Sequence, residues 1–561
     1  LNIPTFQTSR HQWIDIPFQS TSTYENPFNE IELDLTFTCP TGKKITIPAF
    51  WQGDNHWCIR FSSSEIGKHP WVTRCSDQSN TGLHAITGIV HVTANDSQNP
   101  LIHHGAIRVA DDQRHFAYQD GTPFFWLGDT WWMGLTKRLA WPTDFQTLTQ
   151  NRQVLGFNVV QIVAGLYPDM GAFDERGLSE TGFAWMPDFT SINPAFFDEA
   201  DLRIQYLVSQ GITPCILGCW GYYIEWMGVE KMKRHWRYMM ARWGALPVIW
   251  TASGEQTMPW YLHPESEKIK VKQTLKENWT EVIRYIHTLN GYERLITTHP
   301  MTSARESVND PHLLNFEMQQ TGHGNHTQIH ANMALTGWDT KPTMPVISAE
   351  ARYEALQITP PVKSVDVRQA FWAHLINSGV AGHTYGANGI WQVNLTNQPF
   401  GNSPNGHNWG TLSWQAAIEL PVAKQLSIAK SLLSRLTWHQ LQPIALTINS
   451  NLTKKLIASI SHPRLQRIIH RLLPRVHIQT PIAAAKTPNE QLAIFYTITD
   501  KAFKVNLTGF QSSVTAYWFD PTNGDQHMIN ITKTMINRTT FKPNGKNQAG
   551  DDDWILVLLA S

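Results

Sequence analysis

Leu246-Pro-Val-Ile-Trp-Thr-Ala-Ser-Gly-Glu255 and Pro345-Val-Ile-Ser-Ala-Glu350 decide how this chain is read. Each is an apolar, strand-like run that stops on a glutamate. A carboxylate at the end of a buried strand needs a reason, because burying it unpaired is costly. Two of them in one chain point to a pair converging on one pocket. Glycoside hydrolysis needs such a pair: one carboxyl to protonate the leaving oxygen, one to attack or to activate water.

Around these two runs the chain alternates strand-like and helical patterns. Eight strand runs are expected: Phe124–Thr130, Asn158–Gly165, Ile212–Trp220, Pro247–Glu255, Arg294–His299, Leu313–Gln319, Pro345–Glu350 and Ala381–Ala387. Helices fit Thr143–Leu155, Pro194–Gln210, Met227–Trp243, Val271–Leu289 and Ser364–Ser378 between them. This rhythm predicts a (β/α)8 TIM barrel. The fifth and sixth units have the weakest pattern, because Met301–Asp310 is short for a helix. Before the barrel, Ile31-Glu-Leu-Asp-Leu-Thr-Phe and Trp57-Cys-Ile-Arg-Phe alternate with period two, as strands of a β-sandwich do. After it, residues 412 to about 475 read as mostly helical, with basic or amphipathic stretches at Leu433–Leu441 and Arg464–Leu473. From about 478 the β pattern returns, with a hairpin signal at Asp520-Pro-Thr-Asn-Gly524. The expected organisation is multidomain α/β plus all-β. An N-terminal β-sandwich covers 1–94, the catalytic barrel with trailing helices 95–475, and a C-terminal β-sandwich 476–561.

Composition narrows the function. Basic and acidic residues balance at 45 each, which removes a global electrostatic argument for nucleic acid or an anionic membrane. No run of 18 or more apolar residues exists, so no membrane span is expected. Tryptophan is the outlier, at 24 residues. A flat apolar face with a polar edge suits a sugar ring, although core packing must account for many of them. The five cysteines leave at least one free thiol, and Cys58 and Cys75 are candidates for a bridge. Cys215-x3-Cys219 has no partner cluster, and His323-x2-His326-x3-His330 has ligand-like spacing without a completing carboxylate or cysteine, so no metal is expected. Asp551-Asp-Asp553 reads as a solvated turn rather than a calcium site. The oligomeric state is not legible.

Functional residues of such a barrel sit at the C-terminal ends of its strands. By this count Glu255 ends strand four and Glu350 strand seven, facing each other across the mouth. The other strand ends offer a polar and aromatic rim: Asp129 with Trp131 and Trp132, Gln161, Trp220, His299, Gln319, Tyr353 and Glu354, His383 with Tyr385, and Trp391 in the loop that also carries Trp409. Such a rim suits a polyhydroxylated ligand. Each residue has a structural alternative: Asp129 as a helix cap, Glu350 as half of an ion pair with Arg352. No cofactor is called for. The competing classes are a non-catalytic carbohydrate- or protein-binding protein on a degenerate barrel and a polysaccharide lyase. The lyase needs a basic pocket that the strand ends do not supply.

The segments Asp120-Gly-Thr-Pro-Phe-Phe-Trp-Leu-Gly-Asp-Thr-Trp-Trp132, Gly156-Phe-Asn-Val-Val-Gln161, Gly254-Glu255 and Ser348-Ala-Glu-Ala-Arg-Tyr-Glu354 resemble the apiosidase-like glycoside hydrolases. The flanking regions resemble the sandwich that precedes this barrel and the β domain, sometimes labelled collagen-binding, that follows it. The resemblance implies a retaining glycosidase with Glu255 as acid/base and Glu350 as nucleophile. It also implies a carbohydrate substrate, from a plant or microbial polysaccharide or its side chains; a secreted or periplasmic location is expected. Two departures stand out. Family members often carry Gly-Asp at the position of Gly254-Glu255, and the wider clan usually has Asn where this chain has Gly254.

Overall fold

The computed structural model describes residues 3–324, 327–444, 480–510, 513–531 and 539–560. Arg464–Leu473 and His326 lie outside the described residues. The chain forms two compact units. One holds Leu1–His323, Lys341–Lys363 and Ala381–Ala423; the other holds Gly324–Thr340, Ser364–Val380 and Lys424–Ser561.

The first unit contains all eight barrel strands: β1 Trp126–Trp131, β2 Val159–Val163, β3 Thr213–Leu217, β4 Ile249–Thr251, β5 Ile296–Thr297, β6 Glu317–Gln320, β7 Val346–Glu350 and β8 Gly382–Tyr385. All paired neighbours run parallel, in the order β5-β4-β3-β2-β1-β8-β7-β6. Strands covered on both faces can be apolar throughout, and Val159-Val-Gln-Ile-Val163 is buried at every position. The ladder is open between β5 and β6. Asn315 spans that seam: its backbone N–H donates to the Ile296 carbonyl at 2.9 Å, and its side-chain oxygen accepts from the Ile296 N–H at 2.7 Å. Thr297 Oγ1 adds a bond to the Phe316 carbonyl at 2.8 Å.

Helices follow the strands where periodicity predicts them. Thr143–Val154 buries Phe145, Leu148, Thr149 and Arg152, one face at helical spacing. Pro194–Ser209 starts on a proline in its first turn, and Glu265–Leu289 buries Leu275, Trp279, Val282, Ile283 and Ile286. Tyr223–Trp243 and Ser364–Asn377 complete the expected set. The helix Thr327–Asp339 was not expected. Its buried face is Thr327, His330, Ala331, Ala334 and Gly337, with no large apolar residue to carry the period.

The N-terminal region packs a five-stranded sheet on a three-stranded one. Leu33, Leu35, Phe37, Trp57, Ile59, Phe61 and Trp71 are in its core. Buried Arg60 ties it to the barrel helices, through Asp15 of its own sheet at 2.7 Å, Asp201 at 3.0 Å and the Arg242 carbonyl at 2.7 Å. All five cysteines are free thiols, Cys58 and Cys75 among them.

The second unit combines the helices Thr327–Asp339 and Ser364–Asn377 with a six-stranded and a two-stranded antiparallel sheet. Phe495, Trp518, Trp554 and Leu556 fill its core. The hairpin at Asp520–Gly524 forms, closed by the Gly524 N–H on the Asp520 carbonyl with Gly524 at φ +87°. Asp551-Asp-Asp553 is not a solvated turn. Asp553 is fully buried and, with Asp551, clamps the guanidinium of Arg368 at 2.7 Å. In the stretch expected to be mostly helical, the described part holds Trp414–Ala417, Pro421–Ser434 and a 3-10 turn at Trp438–Gln440.

Candidate active site

Glu350 is the last residue of β7, 6% exposed, and pairs with Gln320 of β6 just past an irregularity in the ladder. Glu255 lies beyond β4, in a turn fixed on three sides. The Gly254 N–H donates to the Cys219 carbonyl, the Gly221 N–H to the Gly254 carbonyl, and the Gln256 N–H to the His299 carbonyl. Glu255 itself has φ +37°, a left-handed conformation that costs a non-glycine residue about 1–3 kcal/mol and persists only where the surroundings impose it. Gly254 is glycine for a steric reason. A Cβ there would lie 2.2 Å from the Trp220 ring, so the asparagine usual in the wider clan does not fit.

The two carboxylates meet across Gln320. Its amide nitrogen donates to Glu255 Oε1 at 2.9 Å and to Glu350 Oε1 at 3.3 Å, so these oxygens are no farther apart than those two contacts end to end, about 6 Å. Their environments differ. Burial, then the charge of Glu350, push the Glu255 carboxyl up to about 7, against hydrogen bonds from Gln320 and Trp220. Trp220 Nε1 is 3.3 Å from Glu255 Oε2. Burial also acts to raise Glu350. A hydrogen bond from His323, the His299 and His323 charges and a hydrogen bond from Tyr353 outweigh it and hold Glu350 below the ordinary carboxylate value. His323 Nε2 lies 3.2 Å from Glu350 Oε1, and His299 Nε2 lies 3.5 Å from Oε2. One carboxyl thus keeps its proton near neutrality while its partner keeps its charge.

Both open into a cleft of about 500 Å³. Of the residues predicted for the rim, Trp132, Trp220, Tyr353 and Trp391 line it. His299 lies beneath, its ring 5.3 Å from that of Trp132. Gln161 spans the barrel interior, donating to the Ala349 carbonyl beside Glu350 at 2.9 Å.

Six predicted residues stand elsewhere, and for those on strands alternation explains why. On β1, Trp126, Gly128 and Thr130 form one set. Asp129 and Trp131 form the other, which faces the helix Thr143–Val154. Asp129 accepts from Arg152 at 2.6 Å and from Trp131 Nε1 at 2.9 Å, and Trp131 packs on Phe145. On β8, His383 and Tyr385 alternate with Gly382 and Thr384. The Arg152 guanidinium lies 5.6 Å over the Tyr385 ring, and Tyr385 donates to Glu354 at 2.6 Å. Asp129, Arg152, Tyr385 and Glu354 therefore form one buried polar network behind the barrel wall. Gln319 is displaced by one position. Gln320 reaches the carboxylates and Gln319, on the opposite face of β6 by alternation, is buried beside Ser303; the pairing steps from Gln319–Ser348 to Gln320–Glu350, so the extra residue of the bulge, Ala349, lies on β7 just before Glu350.

The sequence reading missed Asp169, Trp260, Tyr261, Gln320, His323 and His407 as lining residues. All but Gln320 sit on loops, where no periodicity marks which side chains face a ligand.

A family model described as "Apiosidase-like, catalytic domain" matches residues 110–440. A "Domain of unknown function (DUF5060)" matches 7–76, and a "Putative collagen-binding domain of a collagenase" matches 476–559. No curated protein matched. Among solved structures, a glycoside hydrolase family 5 protein from Bacteroides vulgatus ATCC 8482 superposes with a TM-score of 0.64 at 20% identity, over 83% of this chain and 95% of its own. A "putative glycoside hydrolase" from the same organism gives a TM-score of 0.67 at 16% identity, over 99% of this chain and 100% of its own. At these identities the likeness is one of fold. The catalytic-domain model spans more than half of the sequence, and the chain belongs to the apiosidase-like family.

Proposed function

We propose that this protein is a retaining glycoside hydrolase, acting on a plant or microbial polysaccharide or its oligosaccharide side chains. The observation that carries the reading is the Gln320 amide shared by Glu255 and Glu350. A reach of about 6 Å between their oxygens falls short of the roughly 6.5–9.5 Å that inverting enzymes need for an intervening water, and suits direct attack. Glu350, held ionised, attacks the anomeric carbon as the C–O bond to the leaving group breaks. Glu255, holding its proton near neutrality, transfers it to the departing oxygen. In the second step Glu255 takes a proton from water, the water oxygen bonds to the anomeric carbon, and Glu350 leaves as carboxylate.

Trp132, Trp220, Tyr353 and Trp391 supply aromatic walls for the sugar. Such a substrate fits a secreted or periplasmic location. No helix among the described residues is long and apolar enough to cross a membrane. We take 95–475 as the catalytic domain between two β domains, 1–94 and 476–561. The test is a screen of aryl glycosides, furanosides and pyranosides, then of polysaccharides, followed by azide rescue of Glu350→Ala. A small anion in the vacated space should restore turnover and yield a glycosyl azide. A Glu350→Ala enzyme with wild-type rate and no response to azide would end the assignment.

A further inference from the structure

A third carboxylate shares the cleft. Asp169 is 6% exposed, sits in the long loop after β2 with φ +59°, and lines the same wall as Trp409. Tyr261, from the loop after Glu255, donates to its Oδ1 at 2.6 Å, and Arg176 donates to its backbone carbonyl at 3.3 Å. Two loops thus hold this carboxylate in a conformation that an aspartate seldom adopts. Its Oδ2 accepts no hydrogen bond of normal geometry among the described residues. The Trp409 indole N–H lies close enough to favour the charged form, yet has no hydrogen-bond partner of its own. Two further polar atoms of lining residues are buried and unpartnered among the described residues: Trp391 Nε1, on a ring 5% exposed, and Gln320 Oε1. Buried polar groups are ordinarily paired, and leaving one unpaired costs about 1–3 kcal/mol. The residues that carry this carboxylate, the amide oxygen and the indole N–H groups line one cleft. A ligand that satisfies them carries several groups that both donate and accept, which describes a polyol.

We propose that Asp169 is a specificity-determining residue that accepts hydrogen bonds from hydroxyls of the sugar seated against Glu255 and Glu350, with Tyr261 holding its other oxygen in place. The inference rests on the glycosidase reading for the identity of the ligand. Burial, opposed by the Tyr261 hydrogen bond and reinforced by the charge of Glu350, pushes the Asp169 carboxyl up to about 6, so at pH 7 it is ionised and a strong acceptor. The contacts that hold the carboxylate itself are the Tyr261 latch and the neighbouring Trp409 indole. Asp169→Asn keeps that latch, because an amide oxygen also accepts from a phenol, while it removes the charge.

The experiment measures binding in an inactive background. Glu350→Ala and Glu350→Ala/Asp169→Asn are titrated calorimetrically with free pentoses, hexoses and deoxyhexoses and with their 4-nitrophenyl glycosides. At least one sugar should bind the single variant, and the added Asp169→Asn should weaken it about ten- to a hundred-fold, as loss of a charge-assisted hydrogen bond does. Melting temperatures without sugar should match. Equal affinity in the two proteins overturns the proposal, and so does a panel in which no sugar binds the single variant. Failure of the glycosidase reading looks different: the sugar binds, Asp169→Asn weakens it, and the wild-type enzyme does not hydrolyse its glycosides.

Discussion

Two strands of one barrel carry acidic residues toward their C-terminal ends, and the protein treats them in opposite ways. Asp129 on β1 is wholly buried and meets a full cation, the Arg152 guanidinium at 2.6 Å. Glu350 on β7 meets two imidazoles, a phenol and an amide, none of them a permanent cation. A carboxylate locked to arginine is neutralised and inert. One held by weaker, adjustable donors keeps its charge and can give up its contacts to a substrate. A strand-end carboxylate is thus informative in a barrel only once its partner is known, and that partner is set by which face of the strand the residue takes.

The sharpest way to break this comparison is to delete each carboxylate in turn. Glu350→Ala should lose at least about three orders of magnitude in kcat, as removal of a nucleophile does. Glu255→Gln should lose about 10²–10⁴-fold on substrates with poor leaving groups, and little on 4-nitrophenyl glycosides, whose leaving group needs no proton. Equal loss on both substrate types would mark Glu255 as structural. Asp129→Asn should leave the turnover of folded enzyme close to wild type while costing about 3–5 kcal/mol of stability, because Arg152 is left buried without its charge partner. Denaturant unfolding beside an active-site titration separates the two effects. A catalytic defect without a stability defect would reverse the roles assigned to Asp129 and Glu350.

Acidity gives two smaller effects. Activity should fall as pH rises through about 7, where Glu255 loses the proton it donates, and should hold on the acid side to below the ordinary carboxylate value of 4.5, where Glu350 at last protonates. A stability effect follows with its own sign. The folded value of Glu255 stands above its unfolded value of 4.5, so the folded state binds the proton more tightly, and stability declines as pH rises from 4.5 through about 7. Glu255→Gln lacks that penalty. It should melt with wild type at pH 4 and above it, by about a few degrees, at pH 8.

The fold was largely legible in the sequence, because strands buried on both faces and amphipathic helices print their period on the chain. All eight barrel strands and five helices fall where pattern places them. What pattern lacks, it also hides: Thr327–Asp339 buries alanine, glycine and polar side chains, and the β5–β6 seam is closed by Asn315. The candidate site was legible at its centre and blurred at its rim. Glu255 and Glu350 end apolar runs and could be seen. Asp129, Trp131, His383 and Tyr385 could not be separated from true lining residues without knowing strand facing, the same uncertainty exchanged Gln319 for its neighbour Gln320, and Glu354 lies past the end of β7, where no period applies. Asp169, Tyr261 and His323 come from loops that carry no period.

On the proposed mechanism Glu255 and Glu350 act as a close pair on one anomeric carbon. Proton NMR of the first product formed, before mutarotation, tests it most directly. With the two carboxylates joined through Gln320, the product should appear first with the anomeric configuration of the substrate. Initial appearance of the opposite anomer would contradict the account and would make another carboxylate of the cleft, Asp169 foremost, the partner of one member of the pair.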